Sequence, residues 1–539
     1  MGRVVVVVAA VAATLVVPAG SPPAAAAAPP LFLVADSVMA GAAPAIHAAF
    51  AGWDVHIEAR QGIFTSDAAE LAWSHRDEIG AVAIVGTGYN YPVWNPSLFD
   101  VWIDQMMRRL TDAGAVHVIW ATLREPPLGE HGVISVWEKA HIADHYPAAN
   151  QQLRAARARW PQLVLADWNA ASRTDGLTWD GLHLTPAGGS AMADLLADEV
   201  GGIGRLPAGS TLPVHVGDAN AAALNLTVSW PRDAGYVTVW PCDQPRPATS
   251  NLNFSRHQTV ANLVVTRVAA DGTACLATSQ DAHVIVDLEG TFASGGLITQ
   301  NPVRALDTRA GGAPALAAGG IVTVPLPAAG VPSGTRAAVV NLTATDTAAA
   351  GYLTAWPCDQ ARPTASVLNY DAGQTVAGLA VVPVDGHGQI CVFTFASAHV
   401  VVDVSGWFPA DAAYEPVVPT RVLDTRLTAG RLVAGGVVEV PVESADAAAV
   451  VTVTGVQPSG PGYLTAFPCG TVPPLASTVN YEAGAAVANL AIVGLGAQRR
   501  FCVASYASAD VVVDVAGTLP TDSGYTPVSP VRLADTRMG

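Results

Sequence analysis

The chain has 539 residues, 51% of them hydrophobic and 13% charged, with a formal net charge of −17. That length exceeds what one hydrophobic core usually supports, so two or more domains are expected. The acidic balance argues against nucleic acid or an anionic membrane surface as a partner.

In chain order, residues 1–28 come first: Arg3, an apolar run over 4–17, then an alanine tract with several Ala-x-Ala sites. This is the pattern of a secretory leader, too short for a comfortable membrane span. No cysteine directly follows its apolar core and no second long apolar run is evident, so the expectation is an extracellular protein with neither a lipid anchor there nor a membrane span. Residues 31–35 read as a buried strand, which puts Asp36 and Ser37 where a strand ends and a helix begins. A strand over 53–59 precedes Gly62, and the apolar run 81–85 precedes Gly88-Tyr89-Asn90. An amphipathic stretch at 100–113, an apolar run at 115–122, a helix at 148–160 and an apolar run at 163–168 follow. The loop Trp179-Asp180-Gly181-Leu182-His183 then leads into a last amphipathic stretch at 187–200. This alternation predicts a three-layer α/β domain with a mainly parallel sheet. His141 and His145 lie four apart on a possible helix, but without an acidic third ligand at suitable spacing they read as a solvated face and not as a metal site.

Ester hydrolysis by a serine needs a nucleophile, a base, a group to orient the base and donors aimed at the oxyanion. Four blocks supply them in order: Ala35-Asp36-Ser37-Val38-Met39-Ala40-Gly41, Gly62, Gly88-Tyr89-Asn90 and Asp180-Gly181-Leu182-His183. Over residues 31–200 the chain resembles the SGNH (GDSL-type) hydrolases, a family of serine esterases. The resemblance implies an SGNH-hydrolase-like, flavodoxin-like fold, with Ser37 as nucleophile, His183 as base and Asp180 orienting it. It also implies an oxyanion hole of the Ser37 and Gly62 N–H groups and the Asn90 amide; no cofactor and no metal are expected. The Gly-x-Ser-x-Gly elbow of α/β-hydrolases is absent around Ser37. Segment 36–41 is similar to SGNH domains attached to bacterial acyltransferases, which points to O-acyl groups of a carbohydrate or another small ester as substrate. Two other readings stay open at this level: a non-catalytic, glycan-binding surface protein, and acyl transfer to a sugar acceptor.

All six cysteines lie beyond residue 240, and three intervals are equal: Cys242 to Cys275, Cys358 to Cys391 and Cys469 to Cys502 each span 33 residues. Three equal intervals mean three copies of one module, and in an exported chain each pair is expected to form a disulfide, closing a loop valued at roughly 3–4 kcal/mol. Asn253, Asn369 and Asn480 recur eleven residues after each first cysteine, and Asp287, Asp403 and Asp514 twelve after each second. Short β-branched runs bounded by Gly, Pro, Asn and Asp predict β-sandwich modules. An Asp-Thr-Arg element at Asp307, Asp424 and Asp535 is read as closing each module through a salt bridge or turn. The expected organisation is a leader at 1–28, the hydrolase domain at 29–203 and modules at 204–309, 310–426 and 427–539. These modules resemble a repeat found beside enzymatic domains in many secreted bacterial proteins, and they hold no recurring nucleophile and base. Trp240, Trp356 and Phe467 stand beside the cysteines either as core or as sugar-stacking rings, and wall or matrix polysaccharide is the partner this second use implies.

Overall fold

Leu31 to Ala35 are fully buried, the condition of a parallel strand covered on both faces. The computed structural model describes residues 28–125 and 144–538, apart from 429, 443–446 and 497, and the chain divides into two units after Val200. His141 and nearly all of the leader lie outside the described residues.

The first unit contains β1 (Pro30–Ala35), α1 (Ser37–Ala40), α2 (Ala43–Ala49), β2 (Asp54–Ala59), α3 (Thr65–Ser74) and β3 (Val82–Gly86). These are followed by α4 (Ser97–Asp112), β4 (His117–Ala121), α5 (Tyr146–Ala156), β5 (Leu163–Ala166), α6 (Trp168–Ala171) and α7 (Pro186–Gly201). α5 starts earlier than the periodicity predicts because Pro147 occupies its first turn, where a missing N–H costs nothing. The sheet order is β2-β1-β3-β4-β5 and every pair is parallel. The chain therefore reverses its direction of travel across the sheet once, which makes the carboxyl ends of β1 and β3 the switch point where ligands bind in such sheets. Right-handed crossovers put α3, α4 and α5 on one face, where neighbours touch. On the other face α7 closes on the turn before α2: a Cβ on Gly189 would lie 3.4 Å from the Ala42 Cα.

The second unit is all-β, with six four-stranded antiparallel sheets in three pairs, and each pair faces across its own apolar core. Strand Ala337–Thr345 shows why its sequence runs apolar without alternation: it is buried at all nine positions. Ala338, Val340, Leu342 and Ala344 join the core of their own sheet pair, while Ala337 and Val339 join a central core shared by all three repeats. Main-chain N–H groups of Leu263 and Leu379 donate to Asn489 (3.0 Å) and Asn262 (3.2 Å) of neighbouring repeats. At the third junction Gly378 stands in the asparagine position.

The cysteines pair within their repeats, as their spacing predicts: Cys242 is bonded to Cys275, Cys358 to Cys391 and Cys469 to Cys502. The second cysteine of each pair, Cys275, Cys391 or Cys502, is buried in a strand, where its register partner is Trp240, Trp356 or Phe467. These three rings are themselves buried, and Trp240 and Trp356 cluster with the adjoining cysteines, so they are core and not an exposed sugar platform.

The reading that Asp-Thr-Arg closes its own module is overturned by the strand pairing. Strand Ile298–Asp307 pairs with His399–Phe408 of the next repeat, and Glu415–Asp424 pairs with Asp510–Leu519. The C-terminal strand Tyr525–Asp535 returns to pair with His283–Phe292 of the first repeat. Each motif thus ends a strand that joins the following sheet pair, and the last, at Asp535, joins the first. An arginine preceding each motif, missed in the sequence, fastens the joint: Arg304, Arg421 and Arg532 make bidentate contacts with the buried Asp403, Asp514 and Asp287. Within the motif, Asp307–Arg309, Asp424–Arg426 and Asp535–Arg537 form a local ion pair at 2.7 Å.

Glu289 has no acidic counterpart in the other repeats, where Ser405 and Ala516 stand. It is buried and accepts the Ile492 N–H at 3.0 Å, and burial pushes its carboxyl up to about 8. A carboxyl that stays protonated when folded but ionises near its ordinary 4.5 when unfolded makes stability highest below that value and erodes it up to about pH 8. Urea unfolding of the β unit is therefore expected to show declining stability across that window. Glu289→Gln, which keeps the acceptor, should flatten the decline, and an unchanged slope would contradict this account.

Candidate active site

β1 ends at Ala35 and the chain turns straight into α1 with Asp36 as its N-cap. One oxygen of this buried carboxylate accepts the Val38 N–H at 3.1 Å, satisfying a helix-start donor, and the other accepts the Tyr89 N–H at 3.2 Å. Asp36 thereby ties the Ser37 turn to the loop after β3. That loop needs Gly88, whose φ of 132° is closed to ordinary side chains. Ser37 opens the helix, so its N–H has no intrahelical acceptor.

The loop carrying the other two groups is a tight turn closed by a bridge between Thr178 and Leu184 and by Trp179 N–H donating to His183 O at 3.0 Å. α7 seats against it because position 188 is glycine: a Cβ there would lie 1.8 Å from Leu177 O. Inside the turn one Asp180 oxygen accepts the Leu182 and His183 N–H groups at 3.0 and 2.7 Å. The other oxygen lies 2.7 Å from His183 Nδ1, and His183 Nε2 lies 3.2 Å from Ser37 Oγ. With the Nδ1 proton given to Asp180, the Nε2 lone pair faces the serine hydroxyl. Burial pushes the Asp180 carboxyl up, but the His183 ring and the two main-chain donors outweigh it and hold it below the usual carboxylate range. The carboxylate is therefore charged wherever the imidazole is the acceptor.

Gly62 sits in the exposed turn after β2 at φ 71°. Asn90 donates its amide to Ile63 O at 3.0 Å, so it is tied to the residue following Gly62. Among the described residues no hydrogen bond joins Gly62 or Asn90 to Ser37. The structure thus brings Ser37, His183 and Asp180 into one line and draws Asn90 to the Gly62 turn.

Two neighbours were not legible in the sequence. Arg124 donates from its guanidinium to Gly181 O at 2.9 Å and to Ser172 O at 3.3 Å, while its main-chain N–H donates to the Tyr89 hydroxyl at 2.9 Å. It holds the Asp180–His183 turn and the Asn90 loop at once, and a lone arginine after an apolar run carries no signal of that. Trp179 stacks on the His183 ring with centroids 5.3 Å apart and is 64% exposed, forming a flat wall beside that ring.

No family model matches the chain, and no curated protein does. Among solved structures it is similar to the C-terminal catalytic domain of the peptidoglycan O-acetyltransferase A of Streptococcus pneumoniae, with 24% identity over 32% of this chain and 91% of that one, at a TM-score of 0.25. A GDSL-like lipase from Bacteroides thetaiotaomicron gives 15% identity over 32% and 86%, with a TM-score of 0.26. A family 3 carbohydrate esterase from Clostridium thermocellum gives 14% over 31% and 93%, with a TM-score of 0.25.

Proposed function

We propose that the protein is a secreted serine ester hydrolase of the SGNH type that removes O-acyl groups from carbohydrate or other small esters. The observation that carries this reading is the unbroken line from Ser37 Oγ through His183 to Asp180, at 3.2 and 2.7 Å. Ser37 Oγ attacks the acyl carbon as its proton passes to His183 Nε2, and Asp180 stabilises the imidazolium that results. The N–H groups of Ser37 and Gly62 and the Asn90 amide receive the oxyanion. His183 then protonates the leaving alcohol and activates the water that releases the acyl group. A protein that only binds glycan has no use for a base aligned on a hydroxyl. The exposed Trp179 face beside His183 supports a sugar ester, since aromatic faces suit sugar rings. Two features support export: three disulfides, and among the described residues no helix long and apolar enough to cross a membrane. The C-terminal repeats, read as β-sandwich modules, localise the enzyme.

A panel of short-chain acyl esters and acetylated sugars tests the activity directly. Asn90→Ala is expected to lower kcat by roughly 10²–10³ with KM little changed, the usual effect of deleting one oxyanion donor. A loss confined to KM would place Asn90 in ground-state binding instead.

A further inference from the structure

We propose that His56, His75 and Glu78 form a binding site for a divalent transition-metal ion of the zinc class, apart from the serine machinery. The three come from different elements: His56 from the middle of β2, His75 from the end of α3, and Glu78 from the 3-10 turn Arg76–Glu78 that follows it. Phe32 is the register partner of His56 on β1 and stacks beneath it at 5.5 Å, and the two imidazole rings lie 4.9 Å apart. Both rings turn the same nitrogen to the same carboxylate: His56 Nδ1 and His75 Nδ1 lie 2.5 and 3.0 Å from the two oxygens of Glu78. Both turn the opposite nitrogen to a second carboxylate, with Glu58 Oε1 3.5 Å from His56 Nε2 and 3.4 Å from His75 Nε2. His56 Nε2 is buried and makes no hydrogen bond.

With both rings neutral, the donors and acceptors of this cluster do not pair off. A neutral imidazole has one N–H, so each ring satisfies one carboxylate and presents a lone pair to the other. A metal ion on the Nδ1 side resolves the conflict: two lone pairs and the Glu78 carboxylate bind the ion, and both Nε2–H groups turn to Glu58. Two imidazoles, one carboxylate and an open position form a recognised zinc set, and a carboxylate behind ligating histidines is its usual support. The candidate ligand atoms already lie within 4.8 Å of one another. Bound there, the ion would clasp edge strand β2 to the end of α3, on either side of the turn that carries Gly62. In the sequence only the His141–His145 pair stood out in this domain as possible metal ligands, because nothing in the spacing of residues 56, 75 and 78 marks them as partners.

The test uses the full chain, made without a histidine tag and stripped with chelator, titrated with Zn²⁺ by calorimetry. One equivalent should bind per chain and raise the melting temperature. Binding should be lost in His56→Ala and His75→Ala, and Glu58→Gln should weaken it about 10–100-fold. The exposed Glu78→Gln change, which leaves the buried face of the unit untouched, should also weaken it. Absence of saturable binding would overturn the proposal. So would binding that survives the His56→Ala/His75→Ala double change, or binding lost in His141→Ala instead.

Discussion

Ser37→Ala is expected to lower ester turnover by about 10⁴–10⁶ in kcat, and His183→Ala by a similar factor, with the fold of both variants intact. Ser37 Oγ is hydrogen-bonded to His183 Nε2, and the cap that holds its turn belongs to Asp36, so the substitution removes chemistry and leaves packing alone. The double change should cost no more than either single change, because the groups act as a unit. Steady-state kinetics with circular dichroism of each variant provides the check. An additive double variant would mean that Ser37 and His183 work independently, contrary to their 3.2 Å contact.

Deleting residues 525–539 is expected to unfold or severely loosen the whole β unit. The deletion strips a partner strand from His283–Phe292, leaves Asp287 buried without Arg532, and removes Tyr525 from the central core that all three repeats share. The Tyr525 hydroxyl also donates to Glu289 O and Ile492 O, joining the first and third repeats. A drop of about 10 °C or more in the melting transition of the β unit is expected. The milder Arg532→Ala, which orphans one buried carboxylate while keeping the strand, should cost about 1–3 kcal/mol. A truncated chain that melts with the intact protein would show that the return strand is decoration and that each repeat stands alone.

The parts of this molecule that were legible in its sequence are those where chemistry or topology constrains neighbours along the chain. Asp180 and His183 sit in one turn, and Asp36 and Ser37 at one strand end, so their spacing is local. The equal cysteine intervals identified the repeat for the same reason, and the bonds from Cys242 to Cys275, Cys358 to Cys391 and Cys469 to Cys502 follow from it. The direction in which the Asp-Thr-Arg strand pairs was not legible: its residues fit the edge of its own repeat or of the next one equally well, and only the pairing of Arg304 with Asp403 or Arg532 with Asp287 distinguishes them. Arg124 was invisible because its partners are main-chain oxygens, which leave no mark on residue type. His56, His75 and Glu78 meet only because β2 lies at the sheet edge beside the end of α3.

The central claim is that Ser37 is a nucleophile activated by His183, and covalent labelling of the intact protein with a fluorophosphonate probe, read by peptide mass spectrometry, tests it most directly. The expected result is one adduct per chain, on Ser37, absent in Ser37→Ala and strongly slowed in His183→Ala. No adduct on the folded protein, or labelling that persists in Ser37→Ala, would contradict it.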